Sequence, residues 1–307
     1  MNQPSKIINQ ETLIGEDYIE ICIQNFLLSK KAERLAKGTL VFYKERLDAF
    51  IKYLATQEIK FVFQITSNNI REFLLYLEEV KEHNPGGVHT YFRVLKTFLR
   101  WHWEEMEIES TNPISKVKAP KLTVEPIQGI TREEFESLLS ECSNNDFLGE
   151  RDKAILKVLL DTGVRASELC NINIEDVNLI HKSILITKGK GRKPRFVFFG
   201  KSTKRQIKKY LRFRKASSVP LFTNRSGDRL IYNTLRQIIR RLSLKAGLQG
   251  IGLHDFRRAF CLECLNKGIP ETTIARLMGH TTTQLIGRYA KQTSVDLMNS
   301  YRSIVDD

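Results

Sequence analysis

The stretch His254–Gln292, HDFRRAFCLECLNKGIPETTIARLMGHTTTQLIGRYAKQ, decides how the rest of the chain reads. It sets His254, Arg257, His280 and Tyr289 on three short helical patterns joined by turns containing Gly and Pro. His254 and Arg257, three apart, share one helical face. A neutral phenol is a weak nucleophile, and a phosphodiester is an anionic electrophile that resists attack. Cationic donors and imidazoles gathered near a tyrosine therefore point to chemistry on phosphate, with Tyr289 the candidate nucleophile.

Working outward, two further boxes carry cations. Thr162-Gly163-Val164-Arg165-Ala166-Ser167-Glu168-Leu169 follows an apolar helical run, Asp152–Leu160. Gly163 there suits a left-handed helix end, and Arg165 opens the next turn, where backbone N–H groups attract phosphate. Glu168, three residues on, is placed to hold the Arg165 guanidinium; taken alone, the pair also fits an ordinary surface ion pair. Ser183–Phe199 alternates as a hairpin through Ile184, Ile186, Phe196 and Phe198, with the basic turn Lys188-Gly189-Lys190-Gly191-Arg192-Lys193 at its tip. Read alone, that turn is a solvated basic loop, and its glycines do not fit a P-loop.

Taken together, these boxes resemble the tyrosine recombinase (phage integrase) family, whose pattern is an Arg box, then His-x-x-Arg, then His or Trp, then Tyr nine residues later. The intervals here are three from His254 to Arg257 and nine from His280 to Tyr289. The likeness extends over nearly the whole chain and is closest in plan to Xer-like and mobile-element enzymes. It implies catalytic roles for Arg165, Lys190, His254, Arg257, His280 and Tyr289, supported by Glu168. Lys190 matches the family's Gly-Lys-Gly motif, and Lys188 is the alternative, because this hairpin is about one residue longer than the Xer pattern. By the same resemblance, Tyr289 forms a 3′-phosphotyrosyl link and frees a 5′-hydroxyl, Arg165 and Arg257 clamp the phosphate, and His254 moves a proton at the tyrosine. His280 then hydrogen-bonds the phosphate, and lysine protonates the leaving oxygen. The partners implied are double-stranded DNA bearing specific recombination sites and a homotetramer on paired sites, monomeric or weakly associated otherwise. No metal or other cofactor is expected.

Length and charge agree with two domains and an anionic partner. The chain has 307 residues and a formal charge of +14. Residues 1–110 carry 14 Lys+Arg against 16 Asp+Glu, leaving 35 against 19 to the remainder. The first part must then meet DNA through local basic faces. Lys30, Lys31, Arg34 and Lys37 form one; Arg93, Lys96 and Arg100 recur on one side of a helix whose other side is Val94, Leu95, Phe98 and Leu99. Arg192 and Lys193, with Lys188, are candidate contacts in the second part. Trp101 and Trp103 read as core or domain-contact residues rather than base-stacking platforms.

The fold class expected is an all-α core-binding (SAM-like) domain over 14–110, then a mostly α catalytic domain with a small β-sheet or hairpin over 130–307. Between them, 111–129, with Pro113, Pro120, Pro126 and Lys116, Lys118, Lys121, reads as an extended linker. Helix starts are expected at Lys37-Gly38-Thr39, with Thr39 as N-cap, at Thr66 and at Thr131, and a fourth helix from about Val88 to Met106 after the break Asn84-Pro85-Gly86-Gly87. A tail helix bearing Val295, Met298, Tyr301, Ile304 and Val305 packs in cis or on a neighbouring subunit. Only some 15 residues precede the first helix, which favours simple sites without an arm-binding domain. Five cysteines without a framework, no leader and no long apolar run suggest a cytoplasmic protein without a membrane span. Cys261-x-x-Cys264 has no second pair at metal-ligand spacing.

Three competing classes fit less well. A type IB topoisomerase would share the covalent step but reseal the same strand. A non-catalytic DNA-binding accessory protein leaves the six-residue set unexplained, and a metal-dependent nuclease would need carboxylates where these boxes are basic.

Overall fold

The computed structural model describes residues 17–122, 128–187 and 194–279. The chain divides into two compact units, Met1–Val124 and Glu125–Asp307.

The first unit holds four helices among its described residues: α1 (Ile19–Ala32), α2 (Lys37–Ala55), α3 (Ser67–Glu79) and α4 (Pro85–Glu105). Their apolar stripes meet in one core, where Phe26, Phe50, Phe73 and Phe98 are fully buried. Each such side chain contributes about 1.5–3 kcal/mol by leaving water. Thr66 and Asn69 cap α3 reciprocally, Asn69 N–H to Thr66 Oγ1 at 3.2 Å and Thr66 N–H to Asn69 Oδ1 at 2.9 Å. Helix α2 starts at Lys37, within the expected Lys37-Gly38-Thr39, but its cap is not Thr39. A turn with Arg34 at φ 59° closes α1, extended Ala36 caps α2, and the Thr39 N–H already donates to the Ala36 carbonyl. Asn84-Pro85-Gly86-Gly87 is not a break between helices but the first turn of α4, with Pro85 at N1 and Asn84 Oδ1 accepting from Gly87 N–H at 2.7 Å.

The 111–129 segment is not uniformly an extended linker. Pro113–Lys116 forms a 3₁₀ turn, and Ile114 and Val117 are buried in the first core. Ser67 Oγ donates to the Pro113 carbonyl and Arg71 to the Lys116 carbonyl. Two apolar side chains among the prolines suffice to dock this stretch. Gly129 and Ile130, in contrast, belong to the second unit: Gly129 packs on Ala259, and the Ile130 N–H donates to the Asp255 carbonyl.

The second unit contains α5 (Arg132–Ser140), α6 (Phe147–Thr162), α7 (Ala166–Asn171), β1 (Val177–Asn178), β2 (Ser183–Ile186), β3 (Arg195–Phe198), α8 (Lys201–Leu211), α9 (Tyr232–Lys245), α10 (Leu253–Asn266) and α11 (Glu271–Met278). Thr131 and Glu134 form a capping box at α5. The apolar α6 is the spine, packed against α8 and α10. Asp152 lies within it, ion-paired to Arg151 and to Arg241 of α9.

The strands form one antiparallel sheet in the order β1-β2-β3, with Ile184 opposite Val197 and Ile186 opposite Arg195. Ile184 and Ile186 face inward as expected, but Phe196 and Phe198 do not: both are more than half exposed, and Val197 is buried instead. Register forces this. The residues paired with Ile184 and Ile186 share their face, so the alternation brings Arg195 and Val197 inward and the two phenylalanines outward.

Candidate active site

Three arginines converge on the C-terminal end of α11. The last carbonyls of a helix have no partner within it and carry the negative end of its dipole. Leu277 O accepts from Arg195 Nε at 2.9 Å, Met278 O from Arg165 Nη1 at 3.2 Å and from Arg257 Nη2 at 2.6 Å, and Gly279 O from Arg165 Nη2 at 3.3 Å. Arg257 also donates to the Gly163 carbonyl.

Local sequence explains each approach. Gly163 ends α6 in the left-handed region at φ 56°, and a Cβ there would sit 2.5 Å from the Phe260 ring of α10. Glycine thus serves both the turn and the close approach that sets Arg257 beside the Arg165 box. Arg165 caps α7 with extended backbone. The N–H group expected to face phosphate there is already used: Arg165 N–H donates to Glu168 Oε2 at 2.9 Å. Glu168 Oε1 in turn accepts from Arg165 Nη1 at 3.0 Å. Arg165 and Glu168 are therefore not a surface pair, since the carboxylate is buried.

His254 stands in the first turn of α10, one turn before Arg257. Partial loss of solvation lowers its pKa below 6.5, as do the cations Arg257, Arg258 and Arg165, against the opposing Asp255. The lowered pKa keeps the imidazole neutral near pH 7, and the residue is exposed to solvent. A group with a lowered pKa holds its neutral form above that pKa and loses it as pH falls through it. If His254 accepts the tyrosine proton, the rate of cleavage should stay level from about pH 8 down through 6.5 and decline only below. A pH–rate profile under single-turnover conditions with its acid limb centred above 6.5 would sink that role.

Lys188, Lys190, Arg192, Lys193, His280, Tyr289 and the tail beyond lie outside the described residues. The described part of the site therefore joins Arg165, Glu168, His254 and Arg257. It adds Arg195, which the sequence reading missed. Its signal was present in the alternation Arg195, Val197, Phe199 opposite Ile184 and Ile186, but the competing aromatic alternation obscured it.

Cys261 and Cys264 pack with Ile274, Ala275 and Met278 in a small core joining α10 to α11. Burial, with Cys264 adding to it, pushes the Cys261 thiol up to about 11. Neither belongs, among the described residues, to a group of three metal-ligating side chains. Among the described residues the one such group is Asp17, Cys22 and His102, whose donor atoms lie within 4.8 Å of one another in the first unit.

In the first unit Lys30 meets the basic side of α4. Lys30, Arg93, Lys96 and Arg100, with Trp101 and Glu104, line an open groove of about 480 Å³. Lys30 is also paired to Glu33 at 2.6 Å. Lys31, Arg34 and Lys37 are exposed but do not line the groove. Trp101 packs on Phe26, and Trp103 Nε1 donates to the Ser110 carbonyl, so both indoles are engaged within the unit. No described helix is long and apolar enough to cross a membrane.

Comparison with known proteins agrees with this plan. Residues 22–118 match the phage integrase SAM-like domain and residues 128–294 the phage integrase family. The tyrosine recombinase XerC of Oceanobacillus iheyensis is 28% identical over 296 residues, covering 93% of this chain and 95% of the relative. That of Thermodesulfovibrio yellowstonii is 30% identical over 277 residues, covering 86% and 90%. Among solved structures, the Tn1549 transposon integrase in complex with a circular intermediate DNA superposes with a TM-score of 0.76 at 16% identity, over 94% of this chain and 99% of that one. A lambda integrase tetramer bound to a Holliday junction gives 0.74 at 15%, over 97% and 86%. At such identities the superpositions speak for the fold alone. The sequence match spans more than half of the 307 residues and holds the arginines, the histidine and the glutamate just described, and by it the chain belongs to the phage integrase family.

Proposed function

We propose that this chain is a site-specific tyrosine recombinase, which cuts and rejoins DNA strands through a 3′-phosphotyrosyl intermediate. The observation that carries the reading is the convergence of Arg165 and Arg257, the first of them 113 residues from Met278 in sequence, on the turn that immediately precedes His280. Two guanidiniums held this close are suited to the non-bridging oxygens of one phosphate, where charge grows in the pentacoordinate transition state. Neutral His254 takes the proton of Tyr289, His280 donates to the phosphate, and Lys190, or else Lys188, protonates the leaving 5′-oxygen. The covalent link conserves the phosphodiester energy, so nothing in this chemistry calls for a nucleotide.

Exchange between strands requires two bound sites and hence four protomers, each gripping duplex DNA through both units, with 14–110 as core-binding domain and 130–307 as catalytic domain. In the first unit the groove of Lys30, Arg93, Lys96 and Arg100 lies along the DNA backbone, and the exposed Lys31, Arg34 and Lys37 extend the contact. A cytoplasmic location suits a protein that acts on DNA and whose cysteines are free. The biological role is integration or excision of a mobile element or Xer-type dimer resolution.

The test is covalent trapping on nicked duplexes, made from dimer-resolution sites and from the DNA flanking the gene, in the presence of chelator. Wild type should give a protein–DNA adduct that survives denaturant, and Tyr289→Phe should give none. An equal adduct in both proteins would remove Tyr289 from its role, and tight binding without any adduct would make the chain an accessory factor. The duplex that is cleaved identifies the biological role.

A further inference from the structure

Glu168 presents a difficulty for phosphate chemistry. It orients Arg165, yet a buried carboxylate 3.0 Å from that guanidinium also neutralises it, and a neutral pair offers little to an anionic transition state. The second unit supplies a counterweight from β3. Arg195 grips the same carboxylate with both ends of its fork, Nη1 to Oε1 at 2.9 Å and Nη2 to Oε2 at 2.8 Å. Its Nε donates to the Leu277 carbonyl, so all three nitrogens of the guanidinium are engaged, and its side chain is 11% exposed. The same guanidinium lies against Gly279, where a Cβ would stand 2.9 Å from Nη1 and 3.0 Å from Cζ. Arg195 thus touches the acid that orients Arg165 and the turn that leads into His280.

We propose that Arg195 is a positioning residue for the phosphoryl-transfer step: it offsets the charge of Glu168, so that Arg165 stays oriented and still acts on phosphate as a full cation, and it seats the Leu277–Gly279 turn. This rests on the recombinase reading above. Arg195 acts in this assignment through Glu168 and the Leu277 carbonyl, the groups it holds, and not on the phosphate itself. Two further features fit. Burial favours protonation of Glu168, but the hydrogen bonds from Arg195 and the Arg165 N–H, with both cations, outweigh it and hold the carboxyl at about 2, so the acid stays ionised through the working range. Arg195 and Glu168 also come from different elements, β3 and α7, so the charge balance is a property of the folded unit.

The experiment compares Arg195→Gln, Arg195→Lys and the double variant Glu168→Gln/Arg195→Gln with wild type. The readout is the first-order rate of adduct formation at saturating protein on the duplex that wild type cleaves, with duplex affinity measured alongside. Arg195→Gln should slow the adduct rate by roughly 10- to 100-fold at nearly unchanged affinity, the size of one uncompensated charge a few ångströms away. Arg195→Lys should recover part of it. The double variant should be faster than Arg195→Gln alone, because removing the carboxylate charge frees Arg165 again, whereas a purely architectural role would make two lost contacts worse than one. A double variant as slow as or slower than the single one overturns the proposal, as does a wild-type rate in Arg195→Gln. If Arg195→Gln does not fold, the Arg195→Lys and double variants carry the comparison against wild type. If wild type binds a duplex tightly and cleaves none, the recombinase reading fails by itself. The same proteins are then compared for thermal protection by inorganic phosphate over chloride at equal ionic strength. Protection lost in Arg195→Gln and restored in the double variant supports the charge-balancing role, and equal protection in all of them rejects it.

Discussion

Arg257→Ala should slow formation of the tyrosyl adduct by about 10²–10³-fold, the usual cost of removing one donor aimed at developing charge. The same substitution should destabilise the second unit by on the order of 2–4 kcal/mol, because Arg257 is buried and its charged hydrogen bonds to the Gly163 and Met278 carbonyls tie α6 to the end of α11. The two effects separate in Arg257→Lys. An ammonium keeps the charge and can reach one carbonyl, so stability should partly return, but it lacks the planar fork that spans two acceptors, so the rate should not. Urea unfolding gives the first quantity and single-turnover trapping on denaturing gels the second. An Arg257→Ala protein that remains folded and cleaves at the wild-type rate would exclude this residue from the phosphate clamp.

The largest effect on stability is expected away from the site. Asp152→Ala should cost about 3–5 kcal/mol, because it strands a buried cation. Asp152 is 1% exposed in its side chain and Arg151 5%, with Arg151 Nη2 at 2.7 Å, Arg151 Nε at 2.9 Å and Arg241 Nη2 at 2.5 Å from the carboxylate. Without the acid, Arg151 keeps only its bond to the Thr223 carbonyl among the described hydrogen bonds. Arg241 is different. Its side chain is 48% exposed, so Arg241→Ala should cost under about 1 kcal/mol, since water takes over much of its part. Urea midpoints for the two variants should therefore differ widely although both break the same ion-paired group. Equal midpoints would mean that water reaches Asp152 as freely as it reaches Arg241. The consequence extends to the site, because α6 carries the ion pair near its start and ends at Gly163, whose carbonyl holds Arg257.

Much of this protein was legible in its residues alone. Cations and imidazoles near Tyr289 pointed to chemistry on phosphate, the resemblance of the boxes to the phage integrase family gave that chemistry its form, and the excess of positive charge pointed to an anionic partner. The starts of α3 and α5 could be read from Thr66 and Thr131, because a cap is satisfied by donors within the same turn and so is written locally. Local signals misled where two of them competed. Thr39 is a good cap residue, but the turn at Arg34 had already released the chain into a helix at Lys37. Prolines suggested an extended 111–129, but the apolar Ile114 and Val117 had a core within reach.

What only the tertiary structure decided was the partner of each charge. Sequence offers Arg165, Glu168, Arg195 and Arg257 as four ionisable residues, and proximity along the chain pairs only the first two. Folding brings β3 and the end of α11 to the same carboxylate and the same carbonyls. Arg195 in particular depended on which of two alternations on β3 turned inward, Phe196 and Phe198 or Arg195 and Val197. Hydrophobicity favours the phenylalanines, but the register against Ile184 and Ile186 chose the other face. A strand's pattern limits its faces to two, and only the pairing across the sheet determines which of them is buried.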